Sequence, residues 1–152
     1  MNYTCEAVMG AVSGLRSFAG PAIVSEAAHR KLLKLDKTPL AWLASGGAAK
    51  TSIALAVGEM IADKLPFMPD RTQAPALIGR FVTGAVAGAA VSGRKRNDQI
   101  MGAVVGGAAA LAAAYAGYQY RKHVKLPGII AALLEDAVAV SAGTAIVARA
   151  CA

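Results

Sequence analysis

Gly58-Glu-Met-Ile-Ala-Asp-Lys-Leu-Pro66 is the stretch that decides the fold, because it puts charges at the end of a long apolar segment. Glu59 and Asp63 are four residues apart, so their carboxylates share one face of a helix. Pro66 is expected to end that helix. Acids on an apolar helix are costly in lipid, so they should face partners or water inside a bundle. The stretch therefore predicts membrane helices with a polar site between them.

The composition of the whole chain favours the same environment. Of 152 residues, 56% are hydrophobic, and the mean hydropathy is +0.48. Soluble domains average about 45–50% apolar residues. Aromatic residues make up only 5%, whereas there are 16 glycines, and small residues allow helices to pack closely in lipid. We therefore predict an all-α, polytopic transmembrane helix bundle surrounded by a lipid bilayer.

Apolar segments of about 20 residues, the length needed to cross a bilayer, occur five times in one domain covering residues 1–152. The predicted spans are at about 5–28, 40–62, 75–93, 100–118 and 127–148. Gly20-Pro21 predicts a kink in the first span, because proline removes a backbone donor and clashes with the preceding turn. The fourth span is mostly Ala and Gly, which leaves open whether it spans or is re-entrant.

The net charge of +7 comes from short basic clusters between the apolar segments, not from one basic helix face. That pattern is typical of residues flanking a membrane and excludes nucleic acid as the expected partner. Eight lysines and arginines fall on the side that holds the first and third linkers and Arg149, and five fall on the other. The excess predicts a multi-pass protein of the inner (plasma) membrane, with its N-terminus outside and its C-terminus cytoplasmic.

Several charged residues fall within the predicted spans, in the outer half of the membrane or near its midplane. These candidate site residues are Arg16, Lys50, Glu59, Asp63, Arg80, Glu135 and Asp136. Their nearly balanced charges predict mutual pairing inside the bundle. Two interpretations remain open. The residues line a cavity in which a carboxylate changes protonation or an ion binds, or they form an ion-pair network that only fixes helix register.

Pairs of glycines four residues apart recur in three of the predicted spans. They are Gly10 with Gly14, Gly84 with Gly88, and Gly102 with Gly106. Such pairs let helix backbones approach closely, so we expect packing faces within the bundle, and to a lesser degree in a homo-oligomer or against other membrane subunits. The recurrence is either an internal repeat or a chance result of the Ala/Gly-rich composition.

No arrangement of residues predicts an enzyme, a metal site or a cofactor. His29 and His123 both fall in predicted basic linkers, and the chain has no HExxH or CxxC spacing. The run from Ser45 to Ser52 only superficially resembles a phosphate-binding loop. Ala44 and Ala49 stand where that motif needs glycines, so the run is interpreted as a helix-packing face.

Four short motifs resemble a family of small bacterial membrane proteins, the domain-of-unknown-function family numbered 4126. The motifs are Gly14-Leu-Arg16, Glu59 to Pro66, Arg80 at the start of the third span, and Leu134-Glu-Asp-Ala137. The resemblance implies a compact multi-span protein whose characteristic charges are Arg16, Glu59, Asp63, Lys64, Arg80, Glu135 and Asp136. It implies no activity. From the residues themselves we expect a small transporter or channel-like protein; the alternative is a structural or accessory membrane subunit.

Overall fold

The computed structural model describes residues 3–65, 73–93 and 95–150, and the regular elements within these ranges are helices. In chain order they are α1 (Thr4–Leu15), α2 (Ala19–His29), a short 3₁₀ helix (Ala41–Ala44), α3 (Gly46–Ala62), α4 (Ala74–Val91), α5 (Arg96–His123) and α6 (Gly128–Ala150). The predicted all-helical class is confirmed. Helix α3 ends at Ala62; Pro66, which we expected to end it, lies outside the described residues.

Three of these helices, α4, α5 and α6, are long and apolar enough to cross a membrane. Helix α3 has 17 residues and extends about 25 Å, slightly less than a bilayer core of about 30 Å. The fourth predicted span lies inside α5, a continuous helix of 28 residues, so the structure favours a spanning helix over a re-entrant segment there. Helices α1 and α2 are each too short to span.

The first predicted span, 5–28, is not one crossing. It forms two helices, α1 and α2, which fold back on each other; we call this pair the hairpin. Gly20 of α2 packs against Ser13 of α1, and Val12 and Ile23 both lie against Gly143 of α6. A straight helix would place residues 12 and 23 about 16 Å apart. The chain therefore turns back on itself, and α2 runs antiparallel to α1.

The helix break lies at Arg16–Phe18, a few residues before the predicted kink at Gly20-Pro21. Arg16 is in extended conformation and follows the last residue of α1. Pro21 is the third residue of α2, where its missing N–H leaves no intrahelical hydrogen bond unmade. The proline thus marks the start of the second helix and does not kink a continuous one.

Because the hairpin turns back, the start of α1 and the end of α6 lie at the same end of the bundle. Glu6 of α1 contacts Ser92 just after α4, while Arg16 contacts residues in the first half of α6. Our expectation that the termini lie on opposite sides of the membrane assumed five crossings. The hairpin replaces the first of these crossings with two helices that return to the end where they began. We call the end that holds the start of α1 and the end of α6 the linker end, and the opposite one the cluster end.

An apolar core at the linker end fixes the base of the hairpin. Met9 of α1 and Val24 of α2 are fully buried there, together with Ile146 of α6. The linker after α2 is fastened to the same core by Leu33 and Leu35, which are 8% and 3% exposed. This basic linker is therefore an ordered part of the surface.

The predicted glycine faces pack against one another inside the chain. Gly10 and Gly14 of α1 lie against the backbone of α5 at Gly106 and Ala110. Gly84 and Gly88 of α4 approach another side of the same α5 segment, around Gly102 and Gly106. The three helices are thus in near-backbone contact, which leaves these glycines no free face for an oligomer.

Replacing Gly88 with alanine should lower the stability of the bundle. The added methyl group would lie 2.9 Å from Cα of Gly106 and overlap the carbonyl oxygen of Gly102. Backbone cannot move aside cheaply, so we expect a loss of about 1–3 kcal/mol, measured by thermal unfolding in detergent.

Gly79→Ala on the same helix is the matched control, since no atom of the described residues lies within 4 Å of the methyl group it adds. Alanine favours helix by up to about 1 kcal/mol, so this variant should be as stable as the wild type or more stable. Equal losses in both variants would contradict the packing described for α4 and α5.

Candidate ion or solute site

Arg16 is the centre of a charge cluster at the tip of the hairpin. Its side chain is 1% exposed, and its guanidinium forms ion pairs with Asp63 at the end of α3 and Asp136 of α6. Nε lies 2.5 Å from Oδ1 of Asp136 without the alignment of a hydrogen bond, and Nη2 lies 3.5 Å from the carbonyl oxygen of Ala132. One buried cation therefore joins three helices.

Glu59 of α3 binds the backbone just before α2, on the other side of the hairpin tip. The backbone N–H groups of Ser17 and Phe18 donate to its two carboxylate oxygens, at 2.9 and 3.0 Å. A carboxylate at a helix N-terminus also opposes the positive end of the helix dipole, as Arg16 opposes the negative end of α1. The break between α1 and α2 is thus stabilised by Arg16 at the break itself and by Glu59 of α3.

A second ion pair lies beside the first, between α5 and α6. Arg121 donates from Nε and Nη2 to the two carboxylate oxygens of Glu135, at 2.8 and 2.7 Å. This bidentate geometry is the strong form of an arginine–carboxylate pair. Arg121 is 29% exposed and Glu135 is 8% exposed, so the pair extends from the surface at the cluster end into the bundle.

Arg80 of α4 is also buried and is 5% exposed. Its Nε has no hydrogen-bond partner among the described residues, although the guanidinium interacts electrostatically with Glu59 and Glu135, and with Arg16 and Arg121. Arg80 and Glu135 line one small cavity of about 10 Å³, with Gly117 and Tyr118. That volume is about the space of one water molecule between a buried cation and a buried carboxylate.

Six of the seven predicted site residues come together in this cluster. They are Arg16, Glu59, Asp63, Arg80, Glu135 and Asp136, and Arg121 joins them. Lys50 does not belong to the cluster. It is exposed near the start of α3, nine residues and about 14 Å before Glu59, so its predicted place among the buried charges is wrong.

Arg121 was missed because its neighbours Lys122, His123 and Lys125 predict a basic linker. The structure continues α5 through His123. No proline interrupts the sequence between Arg96 and Lys125, and this is the signal that predicts a longer helix.

The cluster makes the molecule polar inside and apolar outside. Arg16, Arg80 and Glu135 are buried, whereas large apolar side chains such as Ile61, Ile78 and Val104 are 56–64% exposed. Soluble proteins show the reverse, and exposed apolar surface of this extent indicates contact with lipid. Within the described part of the chain, no group of three His, Cys, Asp or Glu side chains is arranged to hold a metal ion.

The fold and the cluster define the chain as an all-helical membrane protein with an internal charge network. It belongs to the family described as Domain of unknown function (DUF4126), whose sequence model matches residues 6–151 and so confirms the resemblance drawn from the motifs. No curated protein and no solved structure matches the chain. Since the family description names no activity, function has to be argued from the cluster itself.

Replacing Arg16 with methionine should destabilise the protein strongly. The change leaves Asp63 and Asp136 without the cation between them, and breaking a buried ion pair from one side costs about 3–5 kcal/mol. Thermal unfolding in detergent measures the loss.

Arg30→Met is the control, because Arg30 pairs with Glu26 on the surface and is 68% exposed. An exposed pair four residues apart on a helix contributes about 0.3–0.5 kcal/mol. Similar small losses in both variants would show that Arg16 does not hold the hairpin tip in place.

Proposed function

We propose that this protein is a small transporter or channel-like protein whose charge cluster handles a proton, an ion or a small solute. The observation that carries the proposal is the hairpin, in which two half-length helices meet at a charged tip among apolar helices. Interrupted helices are tolerated within a membrane only where they are buried in protein or line a cavity. They form the substrate and ion sites of many transporters.

Access to the cluster from one end of the bundle supports this function. Exposure falls from 29% at Arg121 to 8% at Glu135, and to 5% at Arg80. Charged groups therefore lead from the surface at the cluster end towards the interior. A proton or small ion that enters at Arg121 meets Glu135 next.

Glu135 is the residue that we expect to change state. It is bound to Arg121 on one side and shares the small cavity with Arg80 on the other. An arginine stays charged at any physiological pH, so the carboxylate is the member of this group that can take up a proton. Protonation would weaken its bond to Arg121 and open the cluster to the cluster end.

The rival function is a structural or accessory subunit, and the contacts of the hairpin tip favour it. Arg16 bridges two acids, and Glu59 accepts two backbone N–H groups. Such saturated contacts fix helix positions without requiring any ligand. We assign a structural role to these tip residues and a functional one to Glu135 and Arg80.

The proposed orientation places the linker end in the cytoplasm of a cell whose inner membrane holds the protein. Eight lysines and arginines of the sequence belong to the linkers and terminus at that end, namely Arg30, Lys31, Lys34, Lys37, Arg94, Lys95, Arg96 and Arg149. Five belong to the other end. By the positive-inside rule both termini are then cytoplasmic, and the cluster opens to the outside.

Flux through proteoliposomes tests the function. The purified protein is reconstituted with a pH-sensitive dye inside, and proton and ion flux is followed under gradients of H⁺, Na⁺, K⁺ and Cl⁻. The wild type should conduct at least one of these ions. Glu135→Gln should reduce its flux by at least tenfold while the melting temperature changes little, because the partly exposed Arg121 can turn to water.

Glu26→Gln is the matched control, since Glu26 is an acid outside the cluster and should leave flux unchanged. If no gradient drives flux through the wild type, and Glu135→Gln lowers the free energy of unfolding by about 3–5 kcal/mol, the structural alternative replaces this proposal.

A further inference from the structure

An open apolar groove of about 820 Å³ lies between α2, α3 and α6, in the half of the bundle nearer the linker end. Its lining residues come from α2 and the turn after it, from the middle of α3 and from the second half of α6. Ile53 of α3 and Val140 of α6 represent the two walls. The volume is within the range of small-molecule pockets, about 300–1,000 Å³. We call this feature the groove.

The groove runs along α2 between two longer helices. Helix α2 packs on both α3 and α6 and forms the floor, while the two longer helices form the walls. In a bilayer such a space is filled by apolar chains, because a void in lipid leaves its lining without contacts. The lining admits hydrocarbon, and the Glu26–Arg30 pair is its charged part.

Basic residues lie at one edge of the groove. Arg30 and Leu32 line it, and Lys31 lies between them in the chain. Lys31 and Lys34 are exposed, and the buried Leu33 and Leu35 hold this segment against the core. The segment therefore carries Lys31 between two residues of the groove edge, and Lys34 follows three residues later in the chain.

The backbone also indicates that Lys31 has a role. Lys31 and Lys37 have φ of 61° and 65°, and within the described ranges they are the non-glycine residues with positive φ. Lys31 follows α2 in a Schellman motif, in which the N–H of Leu32 donates to the carbonyl oxygen of Ala27 at 2.8 Å. Glycine is the usual residue there, and a side chain costs about 1–2 kcal/mol. Strain of this kind concentrates at functional positions.

We propose that the groove binds an anionic phospholipid, with its acyl chains between α3 and α6 and its phosphate headgroup on Lys31 and Lys34. Basic pockets between membrane helices recognise anionic headgroups in this way, and each lysine near the surface contributes to the attraction. The cations favour a negatively charged lipid over an apolar helix of a second copy. This site is separate from the charge cluster and does not depend on transport.

The test compares two lipids with the same acyl chains. Phosphatidylglycerol or phosphatidylcholine is titrated into the delipidated protein in detergent, and bound lipid is counted by native mass spectrometry beside the melting temperature. Phosphatidylglycerol should raise the melting temperature of the wild type more than phosphatidylcholine, with one molecule retained per chain.

Two kinds of variant separate headgroup from chain recognition. Lys31→Asn combined with Lys34→Gln should reduce phosphatidylglycerol affinity about fivefold for each lysine removed. Asparagine tolerates positive φ, so the lipid-free melting temperature should not fall. Thr144→Phe fills the groove and should abolish retention of either lipid, since Thr144 lines it and its hydroxyl, among the described residues, bonds within its own helix.

Matched changes elsewhere serve as controls. Lys122→Gln with Lys125→Gln removes two exposed lysines at the cluster end, and Ile78→Phe adds bulk on the outer face of α4. Neither should alter lipid retention. Equal shifts by the two lipids, or equal losses in the control pair, would overturn the headgroup site. Lipid-independent dimers that Thr144→Phe disrupts would show that a second copy fills the groove.

Discussion

The charge of Arg16 is the constraint on which the rest of the structure depends. An arginine that is 1% exposed among apolar helices requires anions, and Asp63 and Asp136 supply them from α3 and α6. These pairs hold the ends of α1 and α3 against the first half of α6. The turn between α1 and α2 is possible there because Glu59 accepts the N–H groups that the broken helix leaves free.

The sequence predicts the charge cluster better than it predicts the path of the chain. Exposing a charged side chain to lipid is costly, so charged residues in apolar segments are expected to face one another inside the bundle. The hairpin does not follow, because residues 5–28 are mostly apolar over the length of one crossing and the break at Arg16–Phe18 contains neither glycine nor proline. Contacts from α3, distant in sequence, decide the break.

Other misses have the same origin in tertiary contacts. Lys50 and Arg80 look alike in sequence, each a single cation in an apolar run. Lys50 lies on an exposed face of α3, whereas Arg80 is buried where α4 packs against its neighbouring helices. The glycine pairs predict close packing, but only the fold shows that α5 receives α1 and α4 on neighbouring faces.

The hairpin also connects the two sites proposed for this protein. Its tip carries the charge cluster, and its second helix forms the floor of the groove near the linker end. Both features disappear if residues 5–28 form one straight helix. Both sites therefore depend on the hairpin. The hairpin requires the start of α1 and the end of α2 to lie on the same side of the membrane.

Sidedness is the measurement that tests this claim most directly. Cys5 and Cys151 are replaced with alanine, single cysteines are introduced at Lys34 and at Lys122, and an N-terminal tag is added. A membrane-impermeant thiol reagent and a protease are then applied to sealed vesicles of known orientation. The hairpin predicts that the tag and the cysteine at position 34 are reached from one side, and the cysteine at position 122 from the other. A tag on the side opposite position 34 would show a single crossing and contradict the account.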